Sequence, residues 1–158
     1  EFGQFLNSVF DEWIENDIGK IKIQVFEEAA RTAFSQDHTL CIFKENCGGV
    51  PVVEHNGDFY SCDHFVNKEN LVGNIQNDSI SEFLDCEKQQ AFGKAKSLAL
   101  PRYCFECEVK SMCNGECPKN RFINTPEGEP GLNYLCKGYK TFFTHCRPFV
   151  QAIAAAWG

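Results

Sequence analysis

Between Gln4 and Asn16 the apolar side chains fall at Phe5, Leu6, Val9, Phe10, Trp13 and Ile14. Steps of three and four place them on one wide stripe, which predicts an amphipathic helix over 4–16. Gly19 ends it, and Ile21, Ile23 and Val25 then alternate with Lys22, Gln24 and Phe26, predicting a short strand. A second short helix is expected over 27–34. One helix and one strand cannot bury both apolar faces alone, so this helix–strand–helix segment reads as a scrap of an α/β repeat. From Cys41 the pattern changes. Two strand-like runs, 50–54 and 59–61, flank His55-Asn56-Gly57-Asp58, and Asn-Gly tolerates the positive φ of a tight hairpin turn. Ser79-Ile80-Ser81-Glu82 has the form of a capping box and predicts a helix over 80–85. Another is expected over 87–97, stopped by the approach to Pro101. Residues 101–130 combine four cysteines with turn residues and little periodicity, so they read as ligand-bearing loops. The tail 138–157 predicts a helix in which Pro148 marks a break or kink.

Composition narrows the classes. With 43% hydrophobic and 23% charged residues, the 158-residue chain is that of a folded protein. A net charge of −7 offers no positive field to phosphates, which argues against nucleic acid as the main partner. No apolar run reaches the roughly 20 residues that cross a bilayer; the stretch 149–157 is short and Ala-rich, so no membrane partner is expected. No secretory signal is evident, and a start at Glu1 rather than Met fits a piece of a larger protein.

The ten cysteines are the unusual feature. Disulfides staple short secreted chains that cannot build a core, but fifteen Phe with Ile, Val and Leu can build one here. Buried apolar filler suits one or two cysteines, not tight spacings. Metal thiolates explain the pattern best. The dense group is Cys104-x2-Cys107-x5-Cys113-x3-Cys117, and a C-x2-C step lets two thiolates reach one centre. Cys41, Cys47 and Cys62 form a sparse group and Cys136 stands alone, giving eight thiolates, enough for two sites of four. Cys86 and Cys146 are left as filler. Zinc and iron–sulfur clusters both accept four thiolates. The loose spacings favour a cubane, whose irons are spread over several ångströms, with zinc as the alternative.

The array Cys41…Gly57…Cys62, the dense group and Cys136 resemble the SPASM domain, the auxiliary-cluster module of many radical SAM peptide-modifying enzymes. The words Asn56-Gly57-Asp58-Phe59-Tyr60-Ser61-Cys62-Asp63-His64, Leu71-Val72-Gly73-Asn74-Ile75, Gln90-Ala91-Phe92-Gly93, Cys117-Pro118-Lys119-Asn120-Arg121 and Leu132-Asn133-Tyr134-Leu135-Cys136 are similar to those of the anaerobic sulfatase-maturating enzymes. Glu116 departs from the glycine more usual there, which touches a turn and not a ligand. The resemblance implies an α+β fold: a small cysteine-rich module with a β-hairpin, short helices and ligand-bearing loops. Residues 1–37 would be a carboxy-terminal remnant of a radical SAM barrel, and 38–158 the SPASM domain with its carboxy-terminal helix. It further implies two [4Fe–4S] clusters. Cys41, Cys47, Cys62 and Cys117 would hold the first, and Cys104, Cys107, Cys113 and Cys136 the second.

Asp63, fixed beside Cys62, would by the same resemblance be the general base. The implied reaction oxidises a Cys or Ser of a sulfatase peptide to formylglycine: a 5′-deoxyadenosyl radical takes a hydrogen from Cβ, the carboxylate takes a proton, and an electron leaves toward an auxiliary cluster. S-adenosylmethionine would bind only in the barrel of the parent chain, since the C-x3-C-x2-C motif is absent here. His64 reads as a polar neighbour, His38, His55 and His145 as non-ligands, and Phe59, Tyr60 and Phe65 as hairpin core. The stripe Phe5, Phe10, Trp13 and Ile14 would pack on the barrel, and self-association through it is expected where the barrel is missing. A reducing, anaerobic cytoplasm is the expected compartment. Two alternatives stand beside this reading: a zinc-binding structural or peptide-binding module, and the SPASM domain of a different peptide-modifying maturase.

Overall fold

The structure is a computed structural model and describes residues 1–157. Among the described residues, seven α-helices run in chain order: α1 (Phe2–Asn16), α2 (Gln24–Ala33), α3 (Ile80–Asp85), α4 (Glu87–Leu98), α5 (Arg102–Phe105), α6 (Lys110–Cys113) and α7 (Cys136–Trp157). The strands are β1 (Val52–Val53), β2 (Asp58–Tyr60), β3 (Leu71–Asn74), β4 (Ile123–Asn124) and β5 (Pro130–Leu132). Helices with two small antiparallel sheets make the fold α+β, as expected. Among the described residues, no helix is long and apolar enough to cross a membrane.

The chain divides into two compact units, 1–44 with 101–157, and 45–100. The first is built on α7. Tyr139, Phe142, Phe143, Cys146 and Val150 form its buried face, against which Leu6 and Phe10 of α1 and Phe26 and Ala29 of α2 pack. Phe10 meets the rings of Phe26 and Phe142 edge-on at 5.1 and 5.9 Å. Two glycines allow the close crossing: a Cβ on Gly3 would lie 2.6 Å from the Gly138 carbonyl oxygen, and one on Gly138 would lie 2.5 Å from the Phe2 ring.

Two expectations are corrected here. The strand over 21–26 does not form; 24–33 is helical. Phe26, Ala29, Ala30 and Ala33 recur at helical spacing and meet the core, and that period outweighs a brief alternation with no partner strand. Nor does the α1 stripe wait for another surface. Phe10 is 1% exposed and Trp13 and Ile14 pack against the core, leaving Phe5 as its exposed member, so the apolar demand behind self-association is met within the chain. Pro148 lies inside α7 without ending it, since apolar residues on both sides of it hold the helix to the core.

In the second unit, β1, β2 and β3 form a sheet in that order, with Val53 opposite Phe59 and Asp58 opposite Asn74. Gly57, at φ +88°, turns the predicted hairpin. The third strand was not legible as one. Phe59 packs on Phe83 of α3 at 5.1 Å, and Phe65 on Phe92 of α4 at 5.7 Å, so the expected hairpin core is present. Ser79 and Glu82 form the full capping box.

Candidate functional site

The dense cysteines converge within the first unit. Cys104 sits in α5, and the Cys107 amide donates to its carbonyl at 3.2 Å. Cys113 closes α6 and Cys136 opens α7. All four line one pocket, together with Val109 and Leu132. None of the ten cysteines is in a disulfide. Burial, reinforced by the neighbouring cysteines, pushes the Cys104 thiol up to about 11 and that of Cys113 up to about 12. Cys136 is raised for the same two reasons. Three such groups resist becoming thiolates together unless a cationic centre compensates them, which is what a metal group does. Local donors already favour the charged form: the Gly115 amide bonds to Cys113, and the Arg121 and Lys140 charges act on Cys104 and Cys136 respectively.

The four pocket cysteines suit a four-thiolate metal group, which a zinc ion and an iron–sulfur cluster both accept. Among the described residues, the set of three or more potential ligands whose donor atoms lie within 4.8 Å of one another is Cys62, Asp63 and His64.

The turn joining Cys113 to Cys117 is unusual. Asn114, Gly115 and Glu116 are all left-handed, with φ of +47°, +70° and +54°. For Asn and especially Glu this conformation costs of the order of 1 kcal/mol or more per residue, so something must hold it. Arg121 does: its Nε donates to the Gly115 carbonyl at 2.9 Å, and its Nη2 to those of Asn114 and Glu116 at 3.0 and 3.1 Å. The Glu116 carboxylate is buried and accepts from the side-chain amides of Asn120 and Asn133. The sequence flagged Glu116 as a departure in a turn; its bracing role depends on contacts to residues 120 and 133 that no local pattern reveals.

Cys47 and Cys62 lie in the second unit, near enough for Cys47 to add to the rise of the Cys62 thiol. Cys62 stands just beyond β2, with Ser61 between. Gln89 of α4, 4% exposed, spans the two segments: its Nε2 donates to the Gly48 carbonyl at 3.0 Å and to that of Ser61 at 3.2 Å. The Cys47 amide donates to the Gly93 carbonyl at 3.0 Å, and a Cβ on Gly93 would stand 2.9 Å from the Cys47 oxygen. Gln89 and Gly93 thus position two candidate ligands, a role absent from the sequence reading because it joins residues some forty positions apart. The Cys62 thiol donates to Asp63 Oδ1 at 3.3 Å and accepts the His64 amide at 3.5 Å. Burial is the main cause that pushes this thiol up to about 11, and Asp63 adds to it.

Cys41 and Cys117 belong to the first unit. Cys41 is half-buried on the turn after Leu40, and Cys117 is buried at the start of the turn 118–120. The loop leading to Cys41 is held by Glu28, whose carboxylate accepts from the amides of Thr39 and Leu40, the Thr39 hydroxyl and His38 Nδ1; His38 Nε2 bonds to the Ser111 carbonyl at 2.9 Å. Cys146 is the buried filler expected. Cys86 is instead the amino-terminal cap of α4, its sulfur accepting from the Gln89 amide at 3.4 Å. His145 pairs with Asp11 at 2.6 Å, and His55 is exposed on the hairpin.

Residues 41–108 match SPASM, an iron–sulfur cluster-binding domain. The chain is 46% identical over 151 residues to a serine-type anaerobic sulfatase-maturating enzyme of Bacteroides thetaiotaomicron, covering 96% of this chain and 36% of that protein. It is 29% identical to a cysteine-type enzyme of Clostridium perfringens, covering 98% of this chain and 42% of that protein. A solved structure of native anSMEcpe with bound AdoMet and Cp18Cys peptide superposes with a TM-score of 0.82 at 28% identity, over 99% of this chain and 44% of that one. The chain thus spans well under half the length of these relatives. Residues 41–108 are thus similar to an iron–sulfur cluster-binding domain, and nearly the whole chain is similar to a part of the anaerobic sulfatase-maturating enzymes.

Proposed function

We propose that this chain is the auxiliary [4Fe–4S] module of a radical SAM enzyme that oxidises a Cys or Ser side chain of a sulfatase to formylglycine. The observation that carries the reading is the convergence of Cys104, Cys107, Cys113 and Cys136 on one pocket. These four hold the second cluster; Cys41, Cys47, Cys62 and Cys117 hold the first. Bound there, the clusters supply an acceptor for the electron that substrate oxidation releases. Residues 1–37 correspond to the end of the catalytic barrel and 38–158 to the auxiliary module. The barrel of the same parent chain binds S-adenosylmethionine, and the substrate is a sulfatase peptide. Ten cysteines outside any disulfide fit a reducing cytoplasm.

Asp63 is the general base. In the thiol state its carboxylate accepts from Cys62 at 3.3 Å. Ligation removes that thiol proton, which leaves Oδ1 an open acceptor for a proton from the substrate. His64, whose amide faces the same sulfur, fixes the backbone on which Asp63 stands.

The test is anaerobic reconstitution followed by assay of the full-length enzyme. About eight iron and eight sulfide bound by this module, with absorbance near 400 nm, support the reading. Colourless protein with about two zinc sinks it. Asp63→Asn should abolish formylglycine formation on a sulfatase peptide while 5′-deoxyadenosine is still produced. Turnover equal to wild type would remove Asp63 from the mechanism, and activity only on unrelated peptides would assign the module to another maturase.

A further inference from the structure

Arg121 and Glu116 lie outside the ligand set yet touch both chain segments that deliver ligands to the pocket. Arg121 clamps the three carbonyls of the left-handed turn 114–116, and that turn aims the Gly115 amide at Cys113 Sγ. Glu116 binds the Asn133 side-chain amide. Asn133 in turn accepts the Leu135 amide on its Oδ1 at 2.7 Å and the Cys136 amide on its carbonyl at 3.0 Å, which sets the first turn of α7. A continuous chain of hydrogen bonds therefore runs from Arg121 through Glu116 and Asn133 to Cys136.

We infer that Arg121 and Glu116 are paired positioning residues for the cluster held by Cys104, Cys107, Cys113 and Cys136, Arg121 setting its reduction potential and Glu116 its retention. The inference rests on the reading of that pocket as an iron–sulfur site. Reduction adds negative charge to a cluster, and a nearby cation or an amide aimed at a ligand sulfur stabilises the reduced form. Arg121 supplies the cation directly and the amide through the turn. Glu116 adopts a conformation that favours glycine, and its carboxylate is the reason the position rewards a side chain: it fixes the arm that presents Cys136.

The experiment uses the full-length reconstituted enzyme, with iron and sulfide content, an EPR-monitored redox titration and the rate of iron loss to a chelator as readouts. Arg121→Gln should leave iron content intact and move one cluster to lower potential. Arg121→Lys keeps the charge but loses the fork, so a smaller shift in the same direction separates field from clamping. Glu116→Gly suits the backbone at φ +54°, so it should fold normally and yet lose one cluster's iron faster than wild type. Glu116→Gln, still able to accept from Asn133, should recover most of the retention. Wild-type potentials in Arg121→Gln overturn the role of Arg121, and wild-type iron loss in Glu116→Gly overturns that of Glu116. Wild-type protein that takes up no iron and sulfide would overturn the cluster reading itself, and the inference with it.

Discussion

The two units solve the same task, holding cysteines in place, with different means. The unit made of 1–44 and 101–157 buries Phe10, Phe26, Phe43, Phe142 and Phe143 at 0–1% exposure around α7. Its pocket cysteines hang on helix ends that this aromatic core already fixes. The unit 45–100 has little of this: Phe59 and Phe83 are its buried rings, and strands of two to four residues make its sheet. Its order comes from backbone and side-chain hydrogen bonds, those of Gln89 and Gly93 in particular. A segment of fewer than about 60 residues with so small a core is marginal, and metal ligation is the usual supplement. With clusters bound as proposed, the cofactor would be an addition to a finished fold in the first unit and would help to hold the fold of the second.

The largest expected effect tests this contrast directly. Anaerobic removal of iron should strip amide-exchange protection from β1–β3 while α1 and α7 keep theirs, measured by hydrogen exchange with mass spectrometry. Equal loss in both units would break the comparison. Next comes Glu28→Ala, which leaves several buried donors around His38, Thr39 and Leu40 without their acceptor and should cost about 3–5 kcal/mol in denaturant titrations. A change below about 1 kcal/mol would show that the aromatic core alone carries the first unit. Gly93→Ala should cost about 1–3 kcal/mol because the new methyl meets the Cys47 oxygen, and it should reduce iron uptake selectively at the first cluster. Unchanged iron stoichiometry in that variant would show the Cys47 loop is held by other contacts.

The smallest effect is one of pH. Burial raises the Glu28 carboxyl, but bonds from Thr39, Leu40 and His38 outweigh it and hold the group below its ordinary value. A carboxyl depressed in the folded state contributes stability that is complete above its unfolded value of 4.5 and is lost as pH falls through the lower folded value. Acid unfolding of the first unit should thus shift to a flatter pH profile in Glu28→Gln. A profile identical to wild type would count against the carboxylate as the group involved.

Much of this was legible in the residues. Helix α1, the Asn-Gly hairpin and the capping box at Ser79 are local signals, each set by a period or a turn preference. Short alternation at Ile21, Ile23 and Val25 misled because a strand needs a partner, whereas Phe26 and Ala29 already had α7 to meet. Likewise β3 carries no turn signal and exists through its pairing with β2.

What the sequence determined by itself is local: the C-x2-C step at Cys104 and Cys107, where the hairpin turns, and that the carboxylate of Asp63 stands beside the Cys62 thiol. Those are properties of neighbours in the chain, fixed by covalent geometry and backbone preference. Only the tertiary structure decided how each ligand is held. The Arg121 clamp, the burial of Glu116 against Asn133, and the reach of Gln89 to the carbonyls beside Cys47 and Cys62 join residues whose spacing follows no repeating pattern. Such contacts arise when packing forces buried polar groups to find partners, and that requirement is met in space rather than along the sequence.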